Sequence, residues 1–426
     1  MRLFQPNSLH WTELKFPATI IGGIFILIST QQCAQFSKVQ TGLENLIVNY
    51  NDKIAFKRIG IVTNNTGVNV KGTPIWKLLK DLPNVDVAAV FSPEHGLFGE
   101  AAAGEKVDYS ESDEELPPLY SLYGSTRKPT KKMLEGIDLL IYDIQDIGAR
   151  FYTYISTMGL IMEAAAESGI PCLILDRPNP LTGKLITGPT LDLEASSFVG
   201  FYPIPSVYGL TPGELALMIS DQSWIKAVPD IEVITLTGWS RNMWYDQTGL
   251  PWVPPSPNIP NLETAIIYPG TVLIEATNVS EGRGTDHPFR WIGAPWIDSN
   301  ELSDAMNIIG LSGVTFSPIE FAPISIPGAA PNPKNNTQTC NGVEIILTDR
   351  NIFSPVIVGI QLLQSISLLY PQKLEIKEAG LNRLFGSDRL SKSLGDTDAV
   401  NQLIEEIKNE SGQFREYAKQ YYLYNN

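Results

Sequence analysis

Histidine is scarce in this chain, with three in 426 residues, and His95 and His287 stand far apart. Without the close spacing of metal ligands they do not predict a metal site. Cysteine is as rare: Cys33, Cys172 and Cys340 exclude a disulfide framework and a cysteine-built zinc site. Cations are in deficit, 31 Lys and Arg against 46 Asp and Glu, for a formal net charge of −15. A nucleic-acid partner would want clustered cations for its phosphates, so none is expected. No GxGxxG follows the first strand, and no P-loop or GxSxG elbow occurs, so dinucleotide, phosphate-cradle and serine-esterase chemistry lose their usual signatures. No cofactor is expected. Aromatic residues are present instead, and 8 Trp with 16 Tyr supply faces on which sugars stack.

Long apolar runs are lacking apart from FPATIIGGIFILIS (16–29), which has signal-peptide length and is short for a membrane span. Arg2 and Lys15 precede it, and STQQC ends at Cys33, where a lipoprotein would be cleaved and acylated. The residues before that cysteine are larger and more polar than a usual lipobox. Residues 1–33 are therefore read as a signal peptide or lipoprotein leader. The protein is expected to be exported, in the periplasm or cell envelope, with membrane attachment through a lipidated Cys33. A retained N-terminal anchor is the alternative.

After the leader, apolar runs alternate with segments of helical spacing. Strands are expected within 57–65, 85–96, 137–146 and 170–180, with helices at 72–82, 129–136 and 156–169. Alternation of this kind predicts α/β architecture with a parallel, Rossmann-like sheet. AAVF, LLIY and CLIL are continuously apolar, as strands buried on both faces must be. Chain length argues for two domains, taken as 38–265 and 266–426, the latter a smaller α/β domain. In that second part, 264 onwards starts strand-like and 343–350 reads as a strand. Segments 354–371 and 397–424 read as helices, the last capped by Thr397. PWVPPSPNIP (251–260) reads as a rigid loop.

The unusual polar residues follow the strands. TNNTG contains Asn64 and Asn65, SPEHG contains Glu94 and His95, DIQDIGARFYTY runs from Asp143 to Tyr154, and DRPNP holds Asp176 and Asn179. The carboxyl edge of an open α/β sheet is where ligands bind. Glu94, between a strand end and Gly96, suits a general acid whose pKa rises with desolvation. The bland alternative is an ion-paired or capping glutamate. Gln145, Asp146, Arg150 and Tyr152 follow Asp143. Arg150 suits a bidentate grip on a carboxylate, or an internal ion pair with Asp146. Asp176 and Asn179 either orient ligand hydroxyls or fix their own turn. NVSEGRGTDHPF (278–289) sets Glu281, Arg283, Asp286 and His287 among glycines, which suits close ligand approach.

TGLENL, RIGIVTNNTGV, FSPEHGLFG, SLYGSTRKPT, DIQDIGARFYTYISTM, DRPNPLTG, NVSEGRGT and GAPWID together resemble the exo-β-N-acetylmuramidase family, from about residue 40 to the C-terminus. The resemblance implies a Rossmann-like domain joined to a smaller α/β domain, with the site in the cleft between them. It also implies release of terminal N-acetylmuramic acid from the non-reducing end of peptidoglycan fragments. Glu94 then matches the family's catalytic glutamate, and residues 278–285 line the cleft. His95 would orient Glu94, and Asp143 or Glu281 would be the second carboxylate unless the substrate's acetamido group serves. Arg150 or Arg283 would bind the lactyl carboxylate. Asn64, Asn65, Gln145, Asp146, Tyr152, Asp176 and Asn179 are candidate substrate contacts. No role is carried onto His287. The competing readings are a non-catalytic muropeptide-binding lipoprotein and a metal-dependent hydrolase.

Overall fold

Strands in the first half are apolar along most of their length because both faces of their sheet are covered. The computed structural model describes residues 39–102, 105, 116–124 and 126–425. The leader and Cys33 lie outside the described residues. Helix α1 (Gly42–Asn49) leads into β1 (Lys57–Thr63), α2 (Ile75–Lys80) and β2 (Val85–Ser92). Strands β3 (Leu119–Ser121) and β4 (Leu139–Asp143), helix α3 (Tyr154–Ser168) and β5 (Cys172–Leu175) follow. A ribbon of β6 (Thr187–Thr190) and β7 (Pro205–Val207) precedes α4 (Pro212–Asp221) and β8 (Ile231–Ile234). The main sheet has the order β3-β2-β1-β4-β5-β8, with every neighbouring pair parallel. This is the expected Rossmann-like arrangement. Alternate side chains serve its two faces: Ile59 and Ile61 pack with Leu43 and Leu46 of α1, while Val62 and Tyr142 face the larger core.

The strand order reverses between β1 and β4, where such sheets commonly open a ligand crevice. Here the chain itself fills the crevice. Thr63 Oγ1 donates to the Asp143 carbonyl at 2.9 Å, and a Cβ on Gly67 would strike both groups.

The second half begins with α5 (Leu262–Thr271) and a 3-10 turn (Val272–Ala276). Then come β9 (Trp291–Ala294), α6 (Ser299–Ile309), β10 (Val314–Phe321), β11 (Cys340–Leu347), α7 (Pro355–Leu369), α8 (Glu378–Phe385), α9 (Arg389–Ser393) and α10 (Thr397–Ala418). Strands β10-β11-β9 form a small antiparallel sheet. One hydrophobic cluster runs from Val62 to Tyr421 and so joins both halves.

Three local expectations are corrected. Residues 131–136 form successive turns, not a helix, because Gly136 takes a φ of 74° and the segment is too short to sustain a helix. Segment 262–271 is a helix, although IIY reads as a strand. It is buried all round, and periodicity cannot tell a buried helix from a buried strand. Its start is set by Asn261, whose Oδ1 accepts from Thr264 N at 2.9 Å. Helix α5 crosses α7 at Gly270 and Gly359, where a Cβ on either would strike the other helix's backbone. The cap of α10 is Asp396, accepting from Asp398 N and Ala399 N, and not Thr397.

Candidate active site

Strand β2 ends at Ser92, and the chain turns at once. Gly96 N donates to Pro93 O at 3.1 Å, while His95 and Gly96 have φ of 68° and 75°. Left-handed backbone suits glycine and is tolerated by histidine better than by most residues. His95 is buried, and its Nδ1 lies 2.7 Å from the Ala101 carbonyl. A carbonyl only accepts, so Nδ1 carries the hydrogen. Burial lowers the His95 pKa, against the opposing pull of the Glu94 carboxylate, and keeps the ring neutral near pH 7.

Glu94 is half-buried and faces two adjoining cavities. Thr153 Oγ1, in the loop after β4, donates to Glu94 Oε2 at 2.7 Å. The Tyr123 hydroxyl, after β3, also bonds Glu94; burial and that carboxylate push its pKa up to about 12. Glu94, just after β2, is therefore held by side chains from the loops that follow β3 and β4. The inner chamber, about 120 Å³, is lined by Glu94, His95, Phe151, Tyr152, Tyr268, Glu275, Arg283 and Phe289 among others. Its aromatic wall is locked edge to face: Tyr268 meets Phe289 at 4.7 Å and Phe151 at 5.5 Å. The outer chamber, about 530 Å³, shares Glu94, Thr153 and Glu275 and adds Tyr123, Arg127, Phe198, Lys377 and Arg383. The first half of the chain supplies one wall and the second half the other.

A second carboxylate faces both chambers, and it is Glu275, on the 3-10 turn before NVSEGRGT. Arg283 Nη2 donates to Glu275 Oε1 at 2.7 Å, and Arg283 Nε lies 3.5 Å from Glu281 Oε1. Lys334 Nζ sits 2.9 Å from Glu281 Oε2. Burial pulls the Arg283 pKa down, but Glu275 and Glu281 outweigh it and raise the net value. Glu281 is thus corrected from a catalytic candidate to a support: it is buried behind Arg283 and lines neither chamber.

Asp143 is corrected too. It is fully buried and bound in bidentate fashion by Arg177, with Nε to Oδ1 at 2.5 Å and Nη2 to Oδ2 at 2.8 Å. Burial raises its pKa, and Arg177 opposes the shift. Arg150 does not pair with Asp146; main-chain carbonyls take its guanidinium. Its guanidinium donates to the carbonyls of Pro189 at 2.7 Å, Ile204 at 2.9 Å, Leu384 at 3.2 Å and Phe385 at 2.7 Å. It ties the β6–β7 ribbon to the end of α8, and burial drops its pKa to about 9. Asp146 accepts from Gly148 N at 2.6 Å and from Tyr208, and burial pushes its carboxyl up to about 6.

The other polar candidates are also taken up by the protein itself, within their own loops and across to neighbouring ones. Asn64 Oδ1 accepts from Thr66 N at 3.0 Å, and Asn65 Nδ2 donates to Pro254 O at 2.8 Å. Gln145 donates to the carbonyls of Asp146 and Pro178, both at 2.8 Å. Asp176 accepts from Thr211, Gly213 N and Tyr424, and burial pushes it up to about 7. Asn179 closes its turn through Leu181 N and Leu210 O, each at 2.9 Å. None of these lines either chamber. They are polar because buried loop backbone must find partners. Of the predicted residues, Glu94, His95, Tyr152 and Arg283 meet at one place. His287 stacks on Trp291 at 4.3 Å. Among the described residues no group of three or more His, Cys, Asp or Glu is placed to hold a metal ion.

Sequence reasoning missed Glu275, Tyr123, Arg127, Lys377 and Arg383. Tyr123 and Arg127 belong to SLYGSTRKPT, a motif without an assigned role. Lys377 and Arg383 stand on a surface helix with no distinguishing pattern.

Comparison with known proteins bears on the whole chain. The description "Exo-beta-N-acetylmuramidase NamZ, N-terminal" matches residues 59–263, and its C-terminal counterpart matches 266–424. Peptidoglycan beta-N-acetylmuramidase NamZ of Bacillus subtilis (strain 168) is 42% identical over 397 residues, 93% of this chain and 94% of that protein. Two crystal structures of DUF1343-family proteins from Bacteroides fragilis superpose with TM-scores of 0.84 and 0.73, at 34% and 31% identity. They cover 91% and 92% of this chain and 99% and 100% of their own. With both halves matched in order, and with the motif glutamate standing in the cleft they form, the chain belongs to the exo-β-N-acetylmuramidase family of glycoside hydrolases.

Proposed function

We propose that this chain releases terminal β-linked N-acetylmuramic acid from the non-reducing end of peptidoglycan fragments, and that Glu94 and Glu275 do the chemistry. The observation that carries this is two carboxylates, one from each half, facing the same pair of chambers. Glycoside cleavage needs a proton on the leaving oxygen and stabilisation of an oxocarbenium-like transition state. Glu94 delivers the proton. Thr153 and Tyr123 fix its direction. Glu275, oriented by Arg283, stabilises the positive charge that develops at the anomeric carbon. The aromatic inner chamber suits the sugar's apolar face and acetamido methyl. Segment 38–265 supplies the acid, and segment 266–426 closes the cleft.

Export belongs to the same proposal. The substrate is wall material, and the apolar run 16–29 with Cys33 suits delivery to the envelope as a lipoprotein. Labelling with a fatty acid should mark the expressed protein and not its Cys33→Ser variant; equal labelling would remove the lipid.

The test of the activity is direct. The purified protein should release the chromophore from a chromogenic β-N-acetylmuraminide and not from the matching β-N-acetylglucosaminide. Release from neither would overturn the proposal.

A further inference from the structure

N-acetylmuramic acid differs from N-acetylglucosamine by a 3-O-lactyl group ending in a carboxylate. Arg150 cannot bind that anion, since four carbonyls hold it, and Arg283 is committed to Glu275 and Glu281. Another cation group faces the outer chamber. Arg127 follows β3, Lys377 is the N-cap of α8, and Arg383 lies one to two turns further along the same helix. Three cations at one chamber mouth are unexpected in a protein of formal net charge −15. No ion pair links any of them to a carboxylate among the described residues, whereas Arg283 and Arg290 each have two such partners. Arg127 is also preorganised. Its guanidinium carbon lies 4.3 Å above the centre of the Phe198 ring, and Phe198 lines the same chamber. A guanidinium stacked on a ring loses less freedom on binding a carboxylate. Lys377, Gly380, Arg383 and Leu384 all line the chamber, so α8 lies side-on to it and presents both of its cations along one face.

We propose that Arg127 is the specificity-determining residue of this enzyme. It takes the lactyl carboxylate of the terminal sugar by charge-assisted hydrogen bonds, assisted by Lys377 and Arg383. This rests on the reading of the Glu94 site and adds to it the group that separates muramic from glucosaminic substrates. It also predicts that the free acid is preferred to a substrate whose lactyl group is esterified or carries a peptide amide. Both modifications remove the charge that Arg127 reads.

The test compares a chromogenic β-N-acetylmuraminide with its lactyl methyl ester, in wild type, Arg127→Gln and Arg127→Lys. The acid should be preferred by wild type. Arg127→Gln should raise KM on the acid by about tenfold or more and cut the acid-to-ester ratio of kcat/KM by the same factor. Arg127→Lys should recover part of it. An unchanged ratio in Arg127→Gln would overturn the proposal. Glu94→Gln protein supplies an independent readout: by calorimetry it should bind N-acetylmuramic acid more tightly than N-acetylglucosamine, and adding Arg127→Gln should abolish the difference. Equal binding of the two sugars would also overturn it. If wild type hydrolyses neither substrate while Glu94→Gln protein still prefers the acidic sugar, the anion site stands and the hydrolase reading falls.

Discussion

Arg283 grips Glu275 at 2.7 Å while its other edge faces Glu281, so one guanidinium joins a carboxylate at the cavity to one buried behind it. Removing the buried end should be felt at the exposed end. Glu281→Gln is expected to lower kcat more than it raises KM, because Arg283 and Lys334 lose a shared anchor. Steady-state kinetics on the muraminide check this; an unchanged kcat would detach Glu281 from the site.

Glu94→Gln keeps the shape of the side chain and removes the transferable proton. The loss in kcat should be about 10²- to 10⁴-fold, the usual range for a positioned acid. Thermal unfolding should show the fold intact. Near-wild-type turnover would take the acid role from Glu94.

Glu275→Gln should likewise lower kcat, by about 10²-fold or more, because the developing positive charge loses its counter-charge. Asp143→Asn should differ in kind. It breaks a buried bidentate pair with Arg177, so the expected cost is about 3–5 kcal/mol of stability. Measured side by side, unfolding and turnover separate the catalytic role proposed for Glu275 from the structural role of Asp143.

Arg150→Met would take the guanidinium donor from the carbonyls of Pro189, Leu384 and Phe385, and leave Ile204 O only its bond from Leu191 N at 3.3 Å. Unsatisfied buried acceptors cost about 1–3 kcal/mol each before relaxation, so a loss of at least about 3 kcal/mol is expected. Urea unfolding measures it. Turnover per folded molecule should fall far less than in Glu94→Gln.

Stability should depend on pH through Asp176 and Asp146, which burial pushes up to about 7 and about 6. A carboxyl with a higher pKa in the folded chain binds its proton more tightly there. Its contribution is complete below the unfolded value of about 4 and is lost as pH rises through the folded value. Unfolding free energy should therefore fall between about pH 4 and pH 7, by up to about 1.4 kcal/mol per pH unit for each group. Asp176→Asn should flatten the upper part of that slope. Denaturant titrations across the range test it: the slope between about pH 4 and pH 6 from Asp146 should remain, and an unchanged slope between about pH 6 and pH 7 would assign that part elsewhere.

The alternation of buried strands and helices was legible because a parallel sheet covered on both faces demands continuous apolar runs, and β1, β4 and β5 supply them. Glu94 was legible for a related reason: strand ends on one sheet edge bring their loops together, and an unusual motif there stands out. The same logic gathered too many residues. Asn64, Gln145, Asp146, Asp176 and Asn179 share that edge, but buried loop backbone and filled crevices consume their side chains. Sequence position cannot distinguish a polar group that meets a substrate from one that meets its own main chain.

By itself the sequence determined the parallel α/β architecture and the family, and it placed Glu94 at the carboxyl end of β2. These depend on local pattern and on contiguous motifs, which a linear chain carries in full. The opposite wall was decided only by tertiary structure. Glu275 and Arg127 lie about 150 residues apart in the chain, too far for any local spacing to pair them. They share a chamber because the second half folds back over the sheet edge and the core from Val62 to Tyr421 closes around both halves.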